Sequence, residues 1–433
     1  MSSKQATVTP FSALGGGTEH ITLLEMEGKG MFLMAPGVNT VTFYRGDVHA
    51  AAAFLRARLL AVWQKNKWLG ATIVKDKAVH KKLASLRYST EECPLDAMFV
   101  HVEDATSPLA GLSADTPYKQ LVKVVCSHAE VPSGTVMIKS AKTKGAHIPI
   151  SKLTVAPGPT GSNSFTVILS ISHIACDGAS YYQVLKQLST ETEEIATLNA
   201  KRNQAEHNKI PGMVGEKVYK SSFNAQVIFN ALGEVMCGKK IQMFCFYVDD
   251  AKMAAAKAEA LVDIEDPPAY VSSNDVLTSS FANTCQPYML LMAITFRGKI
   301  EAITLNDMGN YHNGLMYDKS TYSSPALIRK SLQGPAPMSR VKLPGFWKGS
   351  RCRRGVISNW ATLNKKGLVI PECEQILHLP VAKIEEQCLD TAIVFQAQPG
   401  KTAVLFFAKN ADSGSLVAGM PLGQPVSPTM FAQ

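Results

Sequence analysis

Apolar positions along this chain follow two spacings, one suited to strands and one to helices. Thr40–Tyr44 (TVTFY) alternates and predicts a strand. Asp47 then caps a helix over Val48–Trp63, in which Ala51, Phe54, Leu55, Leu59 and Trp63 fall on one stripe. Shorter apolar runs at 20–24, 30–35, 72–75, 97–102, 119–125, 135–139 and 153–156 read as further strands. Gly158–Asn163 (GPTGSN) is a turn, and the strongly apolar, β-branched run SFTVILSIS over 164–172 follows it. A helix is expected from Gly178 to about Leu198.

Residues 199–222 are polar and contain Pro211, Gly212 and Gly215, so they read as a crossover. Beyond them the pattern restarts with a helix over 222–234 and a strand over 242–248 (QMFCFYV). Asp249-Asp250 caps a helix over 251–261, and Ser272 or Ser273 caps another over 274–284. Strands are expected at 289–297, 302–306, 355–360 and 376–380, with a hairpin over 391–396 and 402–408. A basic Pro/Gly-containing loop covers 339–355, and the tail from Ser413 is rich in Gly, Pro and Ser. Alternating strands and helices in both halves predict an α/β fold with mixed sheets flanked by helices. The length of 433 residues fits two domains, 20–198 and 223–433, joined by the crossover and preceded by a flexible leader over 1–19.

Composition narrows the class. Hydrophobic residues make up 46% and charged residues 18%, enough for sizeable cores. No apolar run reaches the roughly 18 residues that would span a bilayer, and the N-terminus has no apolar secretory segment. Nine scattered cysteines without a CxxC pair favour reduced thiols in an intracellular compartment over a disulfide framework, and no cluster has zinc spacing; a cytoplasmic monomer is expected. The formal charge is +9, with local concentrations at 75–82, 139–144 and 348–354. Without an aromatic-interleaved basic helix or an RNA-binding signature, nucleic acid is not an expected partner. Surface lysines are ordinarily just solvated, but a polyphosphate-bearing partner such as coenzyme A would be drawn to this surface.

Candidate chemistry sits where the apolar run ends. His173 is followed after three residues by Asp177 and Gly178, in the sequence HIACDG. A histidine is the natural general base at neutral pH, although a lone one on a strand is more often structural. Here it ends a buried-looking strand, and small residues, Ala179 and Ser180, follow, so a substrate can come close. Gly178 permits a positive φ. Asp177 is out of register for a charge relay and better placed to fix the turn, by an ion pair or by bonds to backbone amides. No serine or cysteine occupies a nucleophile elbow. Cys176 would point away from His173 if the pleat continued, which disfavours a covalent Cys–His route. Direct attack on an activated carbonyl remains the favoured chemistry, and its oxyanion needs a donor from elsewhere.

HIACDG resembles the HxxxDG motif of the acyl-CoA-dependent acyltransferase superfamily, which includes BAHD-type enzymes, chloramphenicol acetyltransferase and condensation domains. Three other stretches are similar to that group: Ser272–Leu277 (SSNDVL) at a helix start, Val356–Trp360 (VISNW), and the helix end Trp63–Gly70 (WQKNKWLG). The resemblance implies two similar chloramphenicol-acetyltransferase-like domains with an active channel between them. It makes His173 the general base, Asp177 structural, and acyl-CoA a co-substrate rather than a resident cofactor. Asn274, Ser358 and Trp360 would then adjoin the substrates, with Ser358 as an oxyanion donor, while a small-molecule hydroxyl or amine accepts the acyl group. From charge alone, Lys348, Arg351, Arg353 and Arg354 would meet the CoA phosphates. The chain departs from BAHD members in two places. It lacks DFGWG, reading LVIPE at 368–372, and the segment Asn306–Tyr311 lacks the arginine that pairs with the motif aspartate. That leaves Arg297, or backbone amides alone, as partner for Asp177. These departures support one alternative, a non-catalytic binding protein on this fold; another keeps catalysis but takes the donor from a carrier protein, as condensation domains do.

Overall fold

A computed structural model describes residues 17–221, 239–262, 264–384 and 387–432. The expected helix over 222–234 and residues 1–16 of the expected leader lie outside the described residues. The chain divides into two compact units. Among the described residues, the first comprises those up to 207 with 297–311 and 363–382, and the second comprises those within 208–296 and 312–362 and from 383 onward. Segments 297–311 and 363–382 come from the second half of the sequence yet pack with the first unit.

The first unit holds strands β1 (Thr18–Thr22), β2 (Gly37–Arg45), β3 (Thr72–Val74), β4 (Ser85–Ser89), β5 (Phe99–His101), β6 (Ser151–Pro157), β7 (Ser164–Ser172) and β12 (Glu374–Val381). Its main sheet has the order β12-β2-β7-β6-β5, antiparallel except for the β5–β6 pair. The SFTVILSIS run is therefore central, hydrogen-bonded on both edges and buried from Phe165 onward, which is why it reads as apolar throughout. A second, antiparallel sheet has the order β1-β4-β3.

The longer helices of this unit are α1 (Val48–Lys65), α2 (Tyr118–His128), α3 (Gly134–Lys144) and α4 (Gly178–Gln187). Asp47 caps α1 by accepting from the His49 and Ala50 amides at 2.7 and 3.0 Å. Ala51, Leu55, Leu59 and Trp63 are buried, while Phe54 is only half-buried. Two expected strands are helical. In 119–125 the valines suggest a strand, but Tyr118, Leu121, Val122 and Val125 are buried at helical spacing, and that period decides the element. Residues 135–139 belong to α3, which Gly145 ends at φ 60°. The run 30–35 is a single tight helical turn over Gly30–Met34, and 302–306 is a turn rather than a strand. The helix expected to reach Leu198 stops at Gln187. The polar stretch 199–222 contains short helices at Gln204–His207, Ile210–Val214 and Glu216–Ser221.

The second unit holds β8 (Gln242–Val248), β9 (Met289–Thr295), β10 (His312–Tyr317), β11 (Arg354–Asn359), β13 (Asp390–Gln398), β14 (Lys401–Ala408) and β15 (Leu422–Pro425). They form one sheet in the order β10-β9-β11-β13-β14-β8-β15. It is parallel at β9–β11 and β11–β13 and antiparallel elsewhere, so the fold is α/β with mixed sheets. Helices α5 (Asp250–Glu259), α6 (Ser273–Cys285) and α7 (Pro325–Gln333) belong to it. Ser272, not Ser273, caps α6, in a capping box with Asp275. The Gly/Pro/Ser-rich tail is ordered into a helix at Ser413–Gly419 and the edge strand β15. Among the described residues no helix is long and apolar enough to cross a membrane.

Candidate active site

β7 delivers His173 to its site. The strand ends at Ser172, whose carbonyl accepts from the Ala175 and Cys176 amides at 2.9 and 3.1 Å, so the chain turns sharply under the histidine. His173 is half-buried, with the Phe32 ring edge-on at 5.2 Å between centroids. Ile174 fills the space beside Gly134, where an added Cβ would lie 2.1 Å from the Ile174 Cδ1.

Asp177 is 2% exposed and fully committed to structure. Its Oδ1 accepts from the Ser180 amide at 2.9 Å, capping α4. Its Oδ2 accepts from Arg297 Nη1 at 2.7 Å and from the Tyr311 amide at 3.2 Å. Arg297 has a side chain 0% exposed and also donates to the carbonyls of Asp307 and Gly309, at 2.9 Å each, and to Ser180 Oγ at 2.8 Å. Arg297 is thus the partner of Asp177, one of the two arrangements open from sequence. The segment Asn306–Tyr311, which lacks an arginine, instead supplies backbone groups to this pair. Gly178 does not take a positive φ; it opens α4 in helical conformation, because the Asp177 cap sets the helix start directly after it.

A second buried ion pair lies under the same loop. Glu27 is 0% exposed and Arg202 2% exposed, with Arg202 Nε donating to Glu27 Oε2 at 2.9 Å. Burial disfavours the Arg202 charge, but the Glu27 carboxylate more than restores it, so its pKa lies above the ordinary arginine value. Arg202 Nη2 donates to the Ala175 carbonyl at 2.9 Å, and Nη1 donates to those of Ala200 and Met308. Glu27 Oε1 accepts from Asn310 N and Nδ2 at 2.7 and 2.9 Å. Asn310 Nδ2 also lies 2.8 Å from the His173 carbonyl and 3.1 Å from that of Ile174. The carbonyls of residues 173, 174 and 175 therefore all face donors fixed by this cluster. Gly309, at φ 131°, leaves room for it: an added Cβ would sit 2.9 Å from Arg202 Nε and 3.2 Å from Glu27 Oε1. No local pattern marks Glu27, Arg202, Gly309 or Asn310, because they lie in separate polar segments that only the fold assembles.

Cys176 is fully buried, and burial pushes its thiol pKa well above the ordinary value, so it stays protonated. His378, also buried, is held by Thr42 Oγ1 at 2.8 Å and Tyr182 OH at 3.0 Å, and desolvation lowers its pKa to about 4. It is a neutral core histidine.

In the second unit the sequence candidates form two groups. Ser358 Oγ on β11 accepts from Trp360 Nε1 at 2.9 Å, which leaves the serine proton free to donate. Asn359 Nδ2 donates to Asn274 Oδ1 at 2.9 Å, tying the start of α6 to the same strand end. Separately, Lys348, Arg351 and Arg353 line a cavity of about 980 Å³ together with Tyr288, Lys342 and Trp347. The Lys348 ammonium lies 4.5 Å from the Tyr288 ring centroid, and Trp347 is 75% exposed. Arg354 is not part of this lining; it donates to the Gly349 carbonyl at 3.2 Å and holds the loop. Among the described residues no three potential metal ligands gather.

No protein-family model and no curated protein sequence matches the chain. Solved structures do match its fold. TRI101 of F. graminearum, in a complex with coenzyme A and T-2 mycotoxin, is similar at a TM-score of 0.61 and 13% identity, over 94% of this chain and 100% of that one. Vinorine synthase is similar at a TM-score of 0.54 and 12% identity, over 94% and 96% of the two chains. The first condensation domain of the CDA synthetase follows at 0.53 and 12%, over 92% and 93%. The chain therefore has the two-domain fold shared by the BAHD-type acyltransferases and condensation domains that its HxxxDG motif resembles.

Proposed function

We propose that this chain, built on the fold of the HxxxDG acyltransferases, transfers an acyl group from acyl-CoA to a hydroxyl or amine of a small molecule. The observation that carries this reading is the HIACDG loop: a half-exposed histidine on a turn in which its own carbonyl, the next two and the aspartate are all held by buried groups. In this mechanism a ring nitrogen of His173 takes the proton of the acceptor as its oxygen or nitrogen attacks the thioester carbonyl. The tetrahedral oxyanion is met by the Ser358 hydroxyl. Collapse expels the CoA thiolate, which takes the proton back from the imidazolium. Asp177 is tied to Arg297 and acts by holding the turn, and Cys176 is too well buried to serve as a nucleophile. Lys348, Arg351 and Arg353 bind the phosphate groups of the donor. Release of free CoA thiol, measured over a panel of acyl-CoAs with a cell extract as acceptor source, tests the activity. The His173→Ala protein should fold normally and lose the release; turnover at the wild-type rate would refute the general-base role.

A second reading is supported by the likeness to the condensation domain. There the acyl group arrives on a carrier protein's phosphopantetheine arm. A donor requirement met by a carrier-bound thioester but not by free acyl-CoA would select it. A wild-type protein that binds no CoA species in calorimetry would instead favour a non-catalytic role.

A further inference from the structure

Two lysine-rich runs that acyl transfer does not use come together in the first unit. One follows β3, where the chain reads Lys75-Asp76-Lys77 and turns through His80 to Lys81-Lys82 before β4. The other is the C-terminal half of α3, which packs along β3. Lys75, Lys77, Lys81, Lys82, Arg87 and Lys142 line one cavity of about 740 Å³. Residues some sixty positions apart in sequence thus share a single concave surface.

The charge of this cavity is only partly compensated locally, by Asp76, whose carboxylate acts on the Arg87 guanidinium. Asp76 is the one carboxylate in the lining, and its Oδ1 is occupied by the Ala78 amide at 2.8 Å. The ammonium groups of Lys75, Lys77, Lys81, Lys82 and Lys142 make no ion pair or hydrogen bond among the described residues. His80 Nδ1 accepts from the Lys82 and Leu83 amides at 3.1 and 2.8 Å, so its ring proton is on Nε2, another donor. Like charges converging on one concavity focus a positive potential that a multivalent anion relieves. The cavity is far larger than a single phosphate group. Val74, Ile138 and Ala141 add an apolar part to its wall, suited to a carbon skeleton.

We propose that this cleft binds an organic polyphosphate, a small carbon skeleton bearing two or more phosphate groups, either free or as a lipid headgroup. The site is separate from the cavity at Lys348 and Arg351, and the proposal does not depend on the chain being an acyltransferase.

The test uses the full chain and inorganic tripolyphosphate as probe, titrated calorimetrically at low and at moderate salt. Two double charge reversals are compared with wild type: Lys81→Glu with Lys142→Glu, and Lys348→Glu with Arg351→Glu. All four positions are solvent-facing loop or helix-end residues, and circular dichroism melting checks that each variant is folded. Binding should weaken with salt. The Lys81/Lys142 reversal should weaken one site by about tenfold or more, since two attractions become repulsions, while the Lys348/Arg351 reversal leaves that site intact. Cosedimentation with phosphatidylcholine vesicles, with and without a phosphoinositide bisphosphate, assigns the source. Retention only on the bisphosphate vesicles points to a lipid headgroup, and tripolyphosphate binding without vesicle retention points to a soluble ligand. The proposal is overturned if wild type does not bind tripolyphosphate at low salt. It is equally overturned if the Lys81/Lys142 protein binds like wild type, or if only the Lys348/Arg351 reversal weakens binding.

Discussion

Replacing Arg202 by methionine removes one half of the buried ion pair beneath the HIACDG loop. Glu27, at 0% exposure, would keep its bonds from the Leu24 and Asn310 amides but lose its only cationic partner among the described residues. Breaking one side of a buried pair costs about 3–5 kcal/mol, because the remaining charge stays desolvated. The carbonyls of Ala175, Ala200 and Met308 lose their donor as well, and each such loss is worth about 1 kcal/mol or more. These contributions share one cluster and will not add. An expected loss of about 4 kcal/mol would remove a large part of a typical stability of about 5–15 kcal/mol. A double-mutant cycle with Glu27→Gln isolates the pair. Both singles should be strongly destabilised, and the double should be less so than their sum, with a coupling of about 2 kcal/mol or more. Urea unfolding followed by circular dichroism reads the energies, with an unchanged m-value as the check on two-state behaviour. Because Arg202 and Asn310 hold the carbonyls beside His173, the folded fraction of each variant should also release CoA thiol more slowly at saturating donor, with little change in KM. A loss below about 1 kcal/mol for Arg202→Met, or a coupling within about 0.5 kcal/mol of zero, would refute the assignment.

Three further outcomes follow from the same geometry. Gly309→Ala should destabilise by about 2 kcal/mol or more, since φ 131° is strained for alanine and the new methyl would crowd Arg202 and Glu27; thermal unfolding measures it. Ser358→Ala should keep the fold and lower kcat by about 10²–10³-fold with KM nearly unchanged, as removal of an oxyanion donor does; an unaltered kcat would remove Ser358 from the mechanism. His378 has its pKa depressed to about 4, below the ordinary 6.5, so the unfolded chain takes up a proton before the folded one does. Its contribution is present above pH 6.5 and is lost as pH falls toward 4, by about 3 kcal/mol at the limit, and His378→Gln should flatten the stability profile across that window.

Several elements were legible because one local period dominated. The strand over 164–172 is central and buried on both faces, so it is apolar throughout, and Asp47 and Ser272 sit where their side chains satisfy free amides at helix starts. The segments 119–125 and 135–139 misled because β-branched residues also serve as the buried stripe of a helix when their spacing is right. Strands β4 and β10 and helix α7 are not among the elements expected from sequence, although Ser324 and Pro325 at the start of α7 and Gly334 after its end are ordinary helix-boundary residues.

From sequence alone came the motif: a histidine at a strand end, an aspartate placed to fix the turn before the next helix, and an apolar run that keeps both in place. These are short-range facts, set by side-chain alternation and by the free amides of a helix start. Tertiary structure decided everything that depends on charges meeting across the chain. Arg297 reaches Asp177, and Arg202 and Glu27 clamp the loop with Asn310, because buried charges must find partners wherever the fold supplies them. It also decided that two separate lysine runs share one cavity, since like charges far apart in sequence carry no mutual pattern until the backbone brings them together.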